Sequence, residues 1–212
     1  MKIAIFGANG TIGQRILDEA LNRNHKVTVI ARHPSKFEKT AENLKVVEGN
    51  ATDSEVIAET VAGNEAVISA VGPTGGSPET VIDAAQALLE GTEKAGVQRL
   101  LFVGGAGSLE VAPGVKLIDA PQFPEAWKSI AQAHSDALDI FENSTADVDW
   151  VNISPPALIE PGTRTGKYRL GENQLLADEK GESRISAEDY AVALIDELEN
   201  QAHHKQRITV AY

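Results

Sequence analysis

The chain has 212 residues, 42% of them hydrophobic and 5% aromatic, with no cysteine and a formal net charge of −12. That length suits one domain, 1–212, with a mostly aliphatic core, and the missing cysteines exclude disulfides, thiolate metal sites and thiol nucleophiles. The acidity argues against a broad nucleic-acid surface, and the longest apolar runs fall far short of a membrane span. A strand-like run at the very start argues against a signal peptide, so a cytoplasmic protein, free of nucleic acid and membrane, is expected.

Strand-like runs fall at 2–6, 26–31, 44–48, 66–70, 99–103 and 148–154. They are rich in Val and Ile without strict alternation, which is how strands buried on both faces read. Helical patterns lie between them at 11–24, 54–62, 78–95 and 124–143. This alternation predicts an α/β fold, a doubly wound parallel sheet with helices on both faces. Asp53 is positioned to cap the helix at 54–62 and Gly96 to close the one ending at 95. The segment 74–78 reads as a loop ending in Ser77, with Pro78 at a helix start. Residues 155–185 are rich in Gly, Pro and charge and read as a lid or small C-terminal substrate lobe on the same domain. Ser186 then caps a helix over 187–200, and a last strand is expected at 206–212.

The first strand runs into Gly7, Gly10 and Gly13, spaced three apart. At a strand-to-helix turn, Gly7 permits the sharp bend, Gly10 leaves room for a pyrophosphate, and Gly13 lets the helix lie close to the sheet. Together with Asn9, Thr11 and Ile12, they would present backbone N–H groups and the positive end of a helix to phosphates. A tight turn needing glycine for packing alone is the other reading. The second strand leads to Arg32, Ser35 and Lys36, where an NAD-selective site would carry a carboxylate for the ribose 2′-hydroxyl. A guanidinium there matches a 2′-phosphate, so NADP(H) is expected over NAD(H), although a solvated basic turn would look the same. Asn50, Ala51 and Asp53 follow the third strand, where an adenine ring can be met. Ser69, Ala70, Val71 and Gly72 follow the fourth, where small residues let a ribose approach the main chain.

The segments GANGTIG, ARHPSK, GNATD, VISAVGP, FVGGAGSLEVAPG, SPPALIEPGTRTGKYRLG and SRISAEDYAVALIDELE resemble the atypical short-chain dehydrogenase/reductase family. Within it the chain is most similar to the NAD(P)H-binding proteins labelled NADH-flavin reductases, near the NmrA-like proteins. The resemblance spans nearly the whole chain and implies a Rossmann-like core and a nicotinamide cofactor. It also implies a hydroxyl near the nicotinamide at Ser108 and a carboxamide or substrate floor at Ser154 and Pro155.

The larger family's Tyr-x-x-x-Lys pair is absent: Tyr168, Tyr190 and Tyr212 all lie outside 124–143. By position the pair falls near Lys128 and Gln132. A carbonyl reductase must protonate a developing alkoxide. Its missing acid turns the expectation toward hydride transfer to FMN, FAD or a similar flat acceptor, or toward a non-catalytic redox sensor of the NmrA-like type. His134 is a candidate proton donor or a structural histidine, and Ser108 a catalytic hydroxyl or a loop serine. No metal-ligand pattern is present. A small-molecule substrate and a monomer or homodimer complete the expectation.

Overall fold

The computed structural model describes residues 1–73 and 76–212. In chain order the first elements are β1 (Lys2–Phe6), α1 (Thr11–Asn22), β2 (Lys26–Ala31), β3 (Leu44–Glu48) and α2 (Ser54–Val61). Next come β4 (Ala66–Ser69), α3 (Glu79–Lys94) and β5 (Arg99–Val103). A short hairpin, β6 (Glu110–Ala112) with β7 (Val115–Lys116), precedes α4 (Glu125–Glu142) and β8 (Asp149–Ser154). The chain finishes with β9 (Leu158–Glu160), β10 (Arg169–Gly171), β11 (Arg184–Ser186), α5 (Ala187–Asn200) and β12 (Gln206–Ala211).

Eight strands form the main sheet in the order β10-β12-β8-β5-β4-β1-β2-β3. Every neighbouring pair is parallel except β10 and β12. From β1 the chain winds outward through β2 and β3, then crosses to β4 and builds the other half. The crevice beyond Phe6, which is in register with Ile30 on one side and Ser69 on the other, is therefore the switch point of a Rossmann-like sheet.

The run of Val and Ile in the strands reflects a sheet covered on both faces. Ile3, Ile5, Val27 and Val29 pack with Ile16 and Leu17 of α1 and with Tyr190 and Leu194 of α5. Ala4, Phe6, Val67 and Leu100 pack on the other face with Ile57 of α2, Leu88 of α3 and Phe141 of α4. The caps follow the sequence in most places. Asp53 accepts from the N–H groups of Glu55 and Val56 at 3.1 and 3.2 Å. Ser186 accepts from Asp189 N at 3.0 Å, and Gly96 takes the left-handed conformation (φ +68°) that ends α3. The expected loop at 74–78 falls partly outside the described residues, at 74 and 75. Ser77 does not cap α3. Pro78 is the N-cap residue, and the Ser77 hydroxyl donates to the Glu79 carboxylate at 2.5 Å instead.

Residues 155–185 run as a strap along the sheet edge and the α1/α5 face. β9 pairs with β11, and β10 adds antiparallel to β12 at the sheet edge. Between them the chain is pinned to the α1/α5 face. Arg164 donates twice to the buried Glu19 at 2.8 Å, and Thr165 N and Gly166 N each donate to Asp189 Oδ1 at 2.7 Å. Burial raises the Asp189 carboxyl, but hydrogen bonds from Thr165, Tyr212 and Gly166 outweigh it and hold the group below its ordinary range.

Candidate functional site

The turn after β1 shows what each glycine does. Gly7 has φ +77°, and a Cβ there would lie 2.4 Å from the Ala70 carbonyl oxygen. At Gly13 a Cβ would come within 2.0 Å of the Gly7 carbonyl oxygen, so α1 can sit this close only with glycine. Gly10 is different: a Cβ would meet nothing nearer than Gly7 O at 3.5 Å. The fold needs glycine at 7 and 13; at 10 it leaves free space on the cleft side.

α1 starts without help. Gly10 is its N-cap residue, no side chain caps it, and no acid stands in its first turn. The other four described helices carry an acid in the first turn, and α2 and α5 have side-chain caps as well. An uncapped, unneutralised amino end offers its N–H groups and partial positive charge to an anion, a contribution of about 0.3–2 kcal/mol.

Around this turn lies a cleft of about 830 Å³ across the carboxyl ends of β1, β2, β3 and β4. Gly7, Asn9, Gly10, Thr11 and Ile12 line it from the turn, and Arg32 and Lys36 from beyond β2. Asn50 and Ala51 line it beyond β3, and Ala70, Val71 and Gly72 beyond β4. Arg32 and Lys36 are exposed, and among the described residues neither side chain has an ion-pair or hydrogen-bond partner. Gly13 lies beneath the turn, as its packing requires, and Ser35 is exposed but outside the lining. Asp53 faces its own helix as a cap. Ser69 is fully buried, its Oγ 3.5 Å from Val71 N. Ser154 and Pro155 are buried at the end of β8, outside the cleft lining. Sequence reading missed His33, Thr52, Thr80 and Asp83, which also line the cleft. Thr80 and Asp83, three apart on α3, carried a one-face spacing but no sign of which face meets the crevice.

The three expected catalytic residues lie outside the cleft lining. Ser108 Oγ accepts from Arg207 Nη1 of β12 at 2.8 Å. Lys128 is exposed and pairs with Glu125 at 2.8 Å. His134 is enclosed by α4 and the loop after β5; desolvation pushes its pKa down to about 4, so it is neutral at neutral pH. A Cβ on Gly105 would lie 2.7 Å from His134 Cβ, and one on Gly104 would lie 2.1 Å from Asn152 Oδ1. The diglycine therefore lets the chain press against both side chains. His134 Nδ1, both amide atoms of Asn152 and Ser154 Oγ have no hydrogen-bond partner among the described residues. Orphaned buried groups of this kind are met by ordered water or a ligand. Asn152, unmarked in the sequence, and Ser154 are the most enclosed of them, each at 1% exposure.

No tyrosine lines the cleft. Tyr168 OH donates to Asp196 and Tyr190 OH to the Ile153 carbonyl, both at 2.5 Å, and Tyr212 OH to Asp189 at 2.7 Å. Burial raises the phenols of Tyr168 and Tyr190 well above their ordinary value. Among the described residues no group of three or more His, Asp or Glu could hold a metal ion, and no helix is long and apolar enough to cross a membrane.

A doubly wound sheet whose switch point holds a three-glycine turn and an uncapped helix end defines a dinucleotide-binding protein. The family model described as NAD(P)H-binding matches residues 7–201, and the chain belongs to that family. It is 38% identical over 213 residues to the Bacillus subtilis (strain 168) protein YwnB, covering 99% of this chain and 98% of that one. Among solved structures, a Burkholderia pseudomallei protein named "putative exported protein" is 46% identical, with a TM-score of 0.91 and full coverage of both chains. A Streptococcus pneumoniae protein named "putative NADH-flavin reductase" is 34% identical, with a TM-score of 0.87 over 100% of this chain and 99% of that one.

Proposed function

We propose that this protein is an NADPH-dependent reductase that passes hydride to a flavin or a similarly flat, conjugated acceptor. The carrying observation is the cleft itself: the uncapped amino end of α1 at its centre, free space above Gly10, and two unpartnered cations at the β2 end. The residues fit a phosphorylated dinucleotide. Gly10, Thr11 and Ile12 would hold the pyrophosphate by their N–H groups, and Arg32 with Lys36 the 2′-phosphate. Ala70, Val71 and Gly72 would face a ribose. Bound there, the cofactor supplies the hydride; the chain's part is to bind, orient and exclude water. Hydride transfer to a conjugated ring needs no strong side-chain acid, which agrees with the engaged tyrosines and the neutral His134. The name of the S. pneumoniae relative supports the same acceptor.

Cofactor choice tests the reading. A bidentate Arg–phosphate contact is worth about 1.5–3 kcal/mol, one to two powers of ten in affinity. Arg32→Asp is expected to lower NADPH affinity at least tenfold and leave NADH affinity unchanged or improved. Equal wild-type affinities for the two cofactors, or an equal loss of both, would remove the NADP(H) assignment. A second reading, a non-catalytic redox sensor of the NmrA-like type, is favoured by Ser108 being held by Arg207 and by the lack of a proton donor. Tight NADPH binding, no oxidation with FMN, FAD or riboflavin, and different affinities for reduced and oxidised cofactor would select it.

A further inference from the structure

Trp127, Ala131, His134, Leu138 and Phe141 share one stripe of α4, at spacings of four, three, four and three, and the stripe from Ala131 onward meets the sheet and the loop after β5. Phe141 and Leu138 are core residues on the sheet. One turn up, His134 lies against Gly105. Another turn up, Ala131 lies against Gly107, where a Cβ would come within 2.8 Å of Ala131 Cβ. The stripe then leaves its cover. Trp127 is 55% exposed, the most exposed of the chain's large described hydrophobic side chains.

Its place in the fold gives that exposure a direction. α4 follows β5 and precedes the parallel β8, so it runs from the carboxyl to the amino end of the sheet. His134 marks the level of the strand ends. Trp127 lies seven residues earlier, about 10 Å further out along the axis. Helical side chains tilt toward the helix amino end, so the indole leans outward above the carboxyl ends of β5 and β8. That is beside the cleft, on the side the nicotinamide would reach under the function proposed above.

We infer that Trp127 is a stacking wall for the acceptor ring, seating an electron-poor tricyclic flavin of the isoalloxazine type beyond the strand ends. The inference rests on the flavin-reductase reading and adds the residue that recognises the acceptor. An indole offers a broad, electron-rich face to a flat electron-poor ring, and it costs little ordering because the first turn of α4 already carries it. Electron-transfer chemistry stays with the cofactor; Trp127 is a positioning residue.

The chain's two tryptophans make this measurable. Trp150 is buried against Phe141, with ring centroids 5.4 Å apart, while Trp127 is open. The protein with NADP+ bound is titrated with FMN, following tryptophan emission against free N-acetyltryptophanamide to correct for absorption. Steady-state oxidation of NADPH by FMN is then measured for wild type, Trp127→Phe and Trp127→Ala. FMN is expected to quench the Trp127 emission. Trp127→Ala should raise the KM for FMN at least tenfold with a much smaller change in kcat and none in NADPH affinity, and Trp127→Phe should restore most of the loss. An unchanged KM in Trp127→Ala with an active wild type overturns the stacking wall alone. A wild type that binds NADPH but neither binds nor reduces FMN overturns the flavin reading and this inference with it. A shift in sedimentation of Trp127→Ala with KM intact would make the indole a contact between copies, which also overturns it.

Discussion

Three glycines in one turn do separable work, and substitution can separate them. Gly13→Ala puts a Cβ 2.0 Å from the Gly7 carbonyl oxygen, a backbone atom that cannot move without shifting β1 or α1. Overpacking of that kind costs on the order of 1–3 kcal/mol or more, so the thermal midpoint should fall. At Gly10 a Cβ meets only an ordinary contact, and the φ of −77° suits any residue. Losing glycine at the N-cap position costs about 1 kcal/mol, but the methyl groups fill the space above the helix end. Gly10→Val should stay folded and lose NADPH binding. The pair is checked by thermal unfolding and titration calorimetry; normal affinity in Gly10→Val would mean the turn holds no phosphate. The three-glycine turn was legible in the sequence because its spacing is local. Asp83 and Asn152 were not, because only the packing of α3 and the crowding of Gly104 bring them to their sites.

At the scale of an element, α4 carries an acid-sensitive weak point. His134 has an ordinary pKa near 6.5, and burial lowers it to about 4 in the folded protein. The fold therefore favours the neutral ring. That stability is complete above about pH 6.5, is lost as pH falls toward 4, and changes no further below. The loss approaches about 3 kcal/mol at the full shift. Glu19, held low by the Arg164 guanidinium, weakens only at more acidic pH. Between pH 6.5 and 5, wild-type stability in urea should fall more steeply than that of His134→Phe; parallel slopes would show that the ring is solvated in the folded protein. The helix itself was readable from its 3.6-residue periodicity, as were β1, β2 and β5, whose near-complete burial writes itself as apolar runs, and β3, a half-exposed edge strand marked by Val46 and Val47. β6, β7, β9, β10 and β11 were not. Each has two or three residues and is held by backbone pairing to a neighbour, so its side chains carry no periodic signal. The attachment of the strap was not legible for a related reason: it depends on Arg164 reaching Glu19 and on N–H groups reaching Asp189, contacts across more than 20 residues of chain.

At the scale of the whole molecule, the candidate cleft and a buried ionic cluster stand at opposite ends of the sheet. The cleft crosses the carboxyl ends, while the amino ends of β5 and β8 are tied to the end of α5 by a buried ionic cluster. Arg99, 3% exposed, bonds Asp149 Oδ2 at 2.7 Å and Glu197 Oε1 at 2.6 Å. Glu197 also meets His203 Nδ1 at 2.7 Å, and Asp149 meets His204 Nδ1 at 2.8 Å. The cluster locks the helix that covers one face to strands in the middle of the sheet. Such a group adds little over a well-packed apolar one, but removing a single partner leaves a buried charge uncompensated, at about 3–5 kcal/mol. Arg99→Met keeps most of the volume and leaves the buried Glu197 with His203 alone as its partner. It should lower the thermal midpoint by roughly 6–20 °C, at about 2–4 °C per kcal/mol for a chain of this size. Arg99→Met combined with Glu197→Gln should recover part of that loss, because the second change removes the orphaned charge. NADPH affinity, measured well below the midpoint, should stay within threefold in both variants, since neither residue lies near the cleft. A fall in affinity parallel to the fall in stability would mean that the two ends are energetically coupled. A loss under 1 kcal/mol in Arg99→Met would mean that water reaches Glu197 and the cluster is not sealed.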